Sequence, residues 1–425
     1  MMKKLIELLN TLDVSAYKIN VHKQESFQLF FVHEKLETIR STDTKNTYIT
    51  IYMEHGDFLG STTFQIYDSL SLDELKEMIL DAKEKALAIN DRKYSLNEND
   101  KQEFVSNSNF KDYSLKEMAY MIADELFSAE HEGSGALNAT EVFVYKNEVS
   151  IINSKGVNKK ETYYTSKVET IPTWNGDKES VEVYQQLNFT EFNKEDIKKE
   201  VESKLKEAKA RYYATRINEA IDVPVLLGKE ELNEAIASLA KYSLNYRALY
   251  SHSSPYKVGD NIQSNPQGDK LSLSAKGEVK GVFGSAYFDN DGTTLKDKEL
   301  IKDGKITSFF GSKRFAEYTN NEVTGNLEVI EIKGGSKTIE ELKKEKHLEC
   351  LTFSGIQCDP FLDYIGGEVR LAIYFDGEKE IPITGISISG KLSEVLNNMY
   401  LSKELGNTSY YHGPEKALFK GFKIF

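Results

Sequence analysis

Cysteine is nearly absent, with two in 425 residues, Cys350 and Cys358. That excludes a disulfide-built scaffold and fits a reducing compartment, so a cytoplasmic protein is expected. Histidine is scarce too, with seven. His-Glu occurs twice, at His33–Glu34 and His131–Glu132. Neither pair has a second histidine four or five residues on: Glu37 and Thr38 follow the first, Gly135 and Ala136 the second. The imidazole pair that a zincin helix presents to its metal is missing in both places. No G-x-S-x-G nucleophile elbow occurs. The glycine clusters Gly281–Gly284 and Gly334–Gly335 lack the Lys-Ser/Thr of a phosphate loop and read as turns. No apolar run approaches the ~20 residues needed to span a bilayer, so no membrane association is expected. Basic charge is also in deficit: 54 Lys and Arg face 67 Asp and Glu, a formal net charge of −13. Phosphate backbones repel such a surface unless a local patch compensates. The lysines of KKEVESKLKEAKAR alternate with glutamates, which describes a solvated helix face and gives no patch. Direct nucleic-acid binding is not expected.

What is present is a globular balance, 40% hydrophobic and 28% charged. Leu5, Leu8, Leu9 and Leu12 share one helical face, interrupted by Glu7 and Asp13. The pattern predicts an amphipathic helix that packs in preference to a secretory leader. Phe27, Leu29 and Phe31 alternate as in a half-buried strand, and short strands follow at 35–40, 47–54 and 57–65. Ser71 with Glu74 opens a capped helix bearing Leu72, Leu75, Ile79, Ala82 and Ala86; Ser114 with Glu117 opens another. Strands are expected at 141–145, 149–153, 160–171 and 180–190, then a helix over 194–216. Strands and helix therefore occur twice, so the first half reads as an α+β domain that a duplication could have built. After a short strand at Ile221–Leu227 and a helix at Glu230–Ala248, glycines and strand-length segments dominate, with short helices at 339–346 and 392–399. The fold class is α+β: an N-terminal α+β domain, 1–218, followed by a mostly β domain, 219–425.

Several segments together resemble the TldD/PmbA family. They are KLETIRSTDTKNTYITIYMEHGDFLGSTTF, Asn153–Val157 (NSKGV), VPVLL, FDNDGTTLKDKELIKDGKITSFF and GEKEIPITGISISGKLSEVLNNM, in family order and spacing over most of the chain. The resemblance implies one of two kinds of protein. TldD-like members carry HExxxH, which helps bind a catalytic zinc. PmbA-like members, also called TldE, lack it and work beside a TldD-like partner in peptide cleavage and maturation. The family was also named for a proposed modulation of DNA gyrase. This chain resembles the metal-free branch: a subunit with no zinc or other cofactor of its own, pairing with a TldD-like metalloprotease subunit or as a homodimer, and meeting unfolded peptides.

The family's zinc helix belongs just after VPVLL, and there Asn233-Glu234-Ala235-Ile236-Ala237-Ser238 has the cadence of HExxxH with Asn and Ser for the histidines. Neutral Asn and Ser are no substitute for imidazole as zinc ligands. Glu234 is then a catalytic carboxylate without a metal-bound water, or an exposed helix residue. His347, Cys350 and Cys358 suggest a metal or redox group, but Cys350 alternates with Leu348 and Thr352 as a small buried hydrophobe does. Cys358 as a nucleophile needs a base, and no histidine is its sequence neighbour. SGIQCDPFLDYIGGEVRLAI, which holds it, departs from the usual PmbA-like pattern. His252 sits in a polar loop that could line a cleft. Tyr163 and Trp174 lie on strand-like segments, where aromatics line peptide grooves or pack sheets. A self-sufficient peptidase with a non-standard site and a non-catalytic peptide-binding chaperone are the alternatives.

Overall fold

The structure is a computed structural model that describes residues 2–129, 133–217 and 220–425. His131, Glu132 and the expected domain boundary at 218/219 lie outside the described residues.

The N-terminal half is one eight-stranded sheet with four helices. In chain order it contains α1 (Met2–Thr11), β1 (Ala16–Val32), β2 (Lys35–His55), β3 (Phe58–Ile66) and α2 (Leu72–Leu87). It continues with β4 (Lys101–Val105), α3 (Leu115–Phe127), β5 (Gly135–Asn153), β6 (Asn158–Trp174), β7 (Val181–Glu182), β8 (Gln185–Phe189) and α4 (Lys194–Tyr213). The strand order is β3-β2-β1-β5-β6-β4, with β7 and β8 also pairing to β6. Helix, long strands and helix thus occur twice, joined by an antiparallel β1–β5 pair that runs from Lys18↔Asn153 to Val32↔Ala139. Both expected capping boxes form. Ser71 accepts from Glu74 N and Ser114 from Glu117 N, and each glutamate reaches back to its serine.

Alternation decides which face each strand buries. Tyr17, Ile19 and Val21 of β1 pack under α1 and α2, and Leu29 and Phe31 under α3. The other face of β1 carries Lys18 and Asn20. There the C-terminal half arrives, in the Asp-Gly turn of FDNDGTT. Lys18 Nζ meets Asp291 Oδ1 at 2.5 Å, and Asn20 Nδ2 donates to Asn290 O. Phe288 packs against Ile151 and Val157 of the sheet. Asp289 shapes the turn by accepting from the backbone N–H groups of Asp291, Thr293 and Asn326. Beside it Lys159, 0% exposed, pairs with Asp100 Oδ2 at 2.5 Å and donates to Thr294.

The C-terminal half enters through β9 (Val225–Gly228) and a helical run, α5 (Lys229–Leu232), a five-residue π turn (Asn233–Ala237) and α6 (Ser238–Ser243), followed by α7 (Tyr246–Tyr250). Then come β10 (Leu273–Lys276), β11 (Lys298–Lys302), β12 (Lys305–Ile306), α8 (Lys313–Tyr318), β13 (Val329–Ile332), α9 (Ile339–Leu342), β14 (His347–Asp359), β15 (Tyr364–Phe375), β16 (Glu380–Ile383) and β17 (Ile386–Lys391). The last elements are α10 (Leu392–Asn397), β18 (Met399–Leu401), β19 (Leu405–Asn407), β20 (Tyr411–Pro414), β21 (Lys416–Phe419) and β22 (Lys423–Ile424). They form two sheets, β12-β11-β10-β13-β20-β19 and β18-β21-β9-β14-β15-β17-β22, with β16 beside β15. The π turn lies between them, in contact with β13 and β14. Its Ala235, Ile236 and Ala237 join Ile330, Ile332 and Leu348 in the main core. The α+β class holds.

The differences from expectation are local. The short strands expected at 141–145 and 149–153 are one strand, β5. The helix expected over Glu230–Ala248 is interrupted at Asn245. Its side chain donates to the carbonyls of Lys241 and Tyr242, closing α6, and accepts from Ala248 N, opening α7.

Candidate functional site

The helical run after β9 is the natural place to begin, because its residue spacing has a geometric meaning. In an α-helix two residues five apart point about 140° away from each other. A π turn, with its i→i+5 bonds, brings them onto one face. Asn233 and Ser238 are five apart on such a turn, and Ser238 Oγ donates to Asn233 O at 3.0 Å. Both are half-buried, while Glu234 between them is exposed. A pair of histidines here would converge. The amide and hydroxyl that occupy the positions do not fit zinc, which takes imidazole, thiolate or carboxylate.

The same run carries a dense set of charges. Lys229 ion-pairs with Glu200 of α4. Burial pulls the Lys229 ammonium down, but the Glu200 carboxylate outweighs it and the net shift is upward. Burial raises Glu230, offset in part by Lys229 and reinforced by Glu200. Burial also lifts Glu231 to about 7, although its Oε2 accepts the Gly228 N–H at 3.1 Å. Glu349 of β14 goes the other way. Burial opposes its charge, but Lys416 at 2.8 Å and Lys343 at 2.6 Å hold it down to about 2. Cys350, next along, is fully enclosed, and burial pushes its thiol well above the ordinary range.

Lys229 and Glu230 face a cleft of about 1050 Å³ between the two halves. Its walls are β8 and the start of α4 on one side and β19 on the other. Among the described residues each strand has a single partner, β8 with β6 and β19 with β20, and each presents a free sheet edge there. Asn188 Nδ2 donates to Ser409 Oγ across the walls at 2.9 Å, and Lys199 pairs with Glu415. Thr408 Oγ1, buried in the lining, has no hydrogen-bond partner.

The residues singled out from sequence do not converge. Glu234 lies outside this lining, near enough to Glu230 to raise its pKa. His252 is exposed in a left-handed turn after α7, with φ of 55°. Trp174 is buried with Val183, Ala208 and Tyr212, under the Lys209 ammonium. Cys358, half-buried beside Tyr256, has its thiol raised to about 12 by burial and by Asp359. Cys350 and Cys358 sit eight residues apart on one strand, roughly 26 Å, too far to share a metal or a disulfide. His347 is buried against Phe375, with Nδ1 at the Glu345 carbonyl. Among the described residues no three His, Cys, Asp or Glu side chains are grouped to hold a metal. Among the described residues, Tyr163 lines a small pocket beside the cleft. Sequence reasoning missed Glu161, 4% exposed in that pocket. The signal was there: 159, 161, 163 and 165 share the inner face of β6, and two of them are Lys and Glu.

Residues 220–424 match the family described as PmbA/TldA metallopeptidase C-terminal domain. No curated protein matches the chain by sequence. TldE from Thermococcus kodakarensis is similar in structure over 100% of this chain and 99% of its own, with a TM-score of 0.80 and 17% identity. A candidate modulator of DNA gyrase from Bacteroides thetaiotaomicron covers 99% and 97%, with a TM-score of 0.79 and 12% identity. Another from Thermotoga maritima covers 100% and 99%, with a TM-score of 0.74 and 15% identity. At these identities the likeness is one of fold.

Proposed function

We propose, from the match of residues 220–424 to the PmbA/TldA metallopeptidase C-terminal domain and from the fold shared with TldE over the whole length, that this chain is the TldE-like subunit of a two-part peptide-cleaving system. The observation that carries the reading is the π turn: it stacks two residues five apart, as HExxxH requires, and bears Asn233 and Ser238 in their place. The backbone geometry suits paired ligands and the side chains do not supply them. The metal that the family's metallopeptidase name implies does not fit these residues, and no step is derived through it. Glu234 stands exposed and without a neighbouring imidazole.

The role left to this chain is to hold substrate. The cleft offers two free strand edges, β8 and β19, to which an extended peptide adds by main-chain hydrogen bonds. Such bonds are blind to side-chain identity and suit unfolded substrates. The partner is a TldD-like subunit that contributes the metal, or a second copy of this chain, in the cytoplasm.

The test is hydrolysis of an unstructured peptide by the purified chain, with zinc quantified in the same sample, alone and after mixing with a TldD-like protein from the same source. No zinc and no cleavage alone, with cleavage in the mixture, is the expected result. Stoichiometric zinc or chelator-sensitive cleavage by the chain alone would overturn the reading.

A further inference from the structure

A pocket of about 90 Å³ opens beside the cleft, and the two share Glu191, Lys280 and Gly281 in their linings. By volume it holds roughly six water-sized groups. Its lining includes Glu161 of β6, 4% exposed. One carboxylate oxygen accepts a single long hydrogen bond, 3.4 Å from Tyr287 N. The other has no protein hydrogen bond among the described residues. A buried carboxylate ordinarily has several donors or a cation. One cation, Lys159, lies two residues away on the same strand face. Its ammonium is committed to Asp100 and Thr294 and lies over the Phe288 ring. Ser106 Oγ, in the same lining, is buried and has no partner.

The rest of the lining favours a cation. Glu161, Glu191 and Glu278 are set against one ammonium, that of Lys280, which is exposed. Tyr163, Tyr287 and Phe283 supply aromatic surface. Tyr287 is held rigidly, stacked on Phe104 at 4.6 Å with its hydroxyl donating to Glu278 at 2.8 Å. A carboxylate in a small pocket with aromatic walls suits a primary ammonium on an alkyl chain. Glu161 supplies the counter-charge, the rings supply surface for methylenes, and Ser106 Oγ is a further acceptor in the lining.

We propose that this pocket binds the alkylammonium group of a peptide lying in the cleft, the side chain of lysine or the chain-terminal amine. The inference rests on the peptide-holding reading of the cleft. Strand addition gives affinity without sequence preference, and this pocket adds a preference for one amine. Burial lifts Glu161 to about 7, with Glu278 adding to it. A bound ammonium reverses that shift, so binding near neutral pH releases a proton.

Fluorescence anisotropy decides it, with an extended peptide carrying one lysine and the same peptide carrying norleucine, each with a free and an acetylated N-terminus. The lysine peptide is expected to bind on the order of tenfold more tightly. Glu161→Gln should erase that difference while leaving binding of the acetylated norleucine peptide, which has no amine, unchanged. A preference that follows the free N-terminus in place of lysine assigns the pocket to the chain amine and supports the proposal equally. Equal affinity of all four peptides for the native protein overturns the pocket and leaves the cleft intact. If no peptide binds, the cleft reading fails, and n-butylammonium titrated by calorimetry then judges the pocket alone. Saturable binding that Glu161→Gln abolishes supports it, and no binding overturns it. Because Gln is isosteric and removes a buried charge, the variant should melt no lower than the native protein.

Discussion

Glu349 is a residue whose ionisation supports the folded state. It sits between Lys343 and Lys416 and is held down to about 2, against an ordinary value near 4.5. A lowered carboxyl stabilises the fold above the unfolded value, and that contribution drains away as pH falls from about 4.5 toward 2. Glu349→Gln should therefore flatten the acid limb of the stability curve. At pH 7 it should cost roughly 2 kcal/mol by urea denaturation, because two partly exposed lysines lose their counter-charge. Glu161 and Glu231 have the opposite sign. Raised to about 7 by burial, they oppose folding increasingly as pH climbs from about 4.5 through 7. The sequence made residue identities legible and environments illegible. Trp174 and Cys350 lay in alternating segments that permitted burial, and burial is where they are. Lys159 and Glu161 broke that same alternation, and a polar pair on an inner strand face was the readable mark of the pocket. What no local pattern carried was the partner across the chain: Tyr287 and Glu278 reach Glu161 from more than a hundred positions away.

At the scale of elements, caps were the most legible features and strand lengths the least. Ser71–Glu74 and Ser114–Glu117 fix helix starts through bonds within four residues, so sequence contains the whole interaction. Strands were read too short because polar runs such as Lys35–Asn46 suggest turns. That stretch is the outer part of β2, mostly exposed and paired only to β1, where alternation has nothing to record. Lysine, arginine and aspartate on such an edge also discourage pairing with other chains. The π turn was invisible in NEAIASLA, whose periodicity fits an ordinary helix. Its geometry can be tested without the native function. Asn233→His with Ser238→His should place two imidazoles on one face. Isothermal titration should then show nickel binding in the double variant, with each single variant at least tenfold weaker. Equal, weak binding by all three would mean that the turn is α-helical in solution.

At the scale of the whole molecule, the FDNDGTT turn joins the halves, and Lys159 of β6 meets it by donating to Thr294. Asp100→Asn leaves a fully buried ammonium with hydroxyl and ring contacts only, at a cost of roughly 3 kcal/mol. Calorimetry should show the native protein melting in one transition and the variant in two, as the halves uncouple. Asp291-Gly292 is a turn signal, but nothing local tells that the tip enters another sheet, because the receiving face is assembled from β1, β5 and β6. The β1–β5 pairing has a consequence for synthesis. About 120 residues separate the end of β1 from the end of β5, so at ~5–20 residues per second the first hairpin waits on the order of ten seconds for its neighbour. During that time β1 presents a long unpaired edge to the ribosome's surroundings. Its inner row of Lys18, Asn20, His22 and Gln24 is polar, and the nascent chain can hold that edge in water until the second half of the sheet is made.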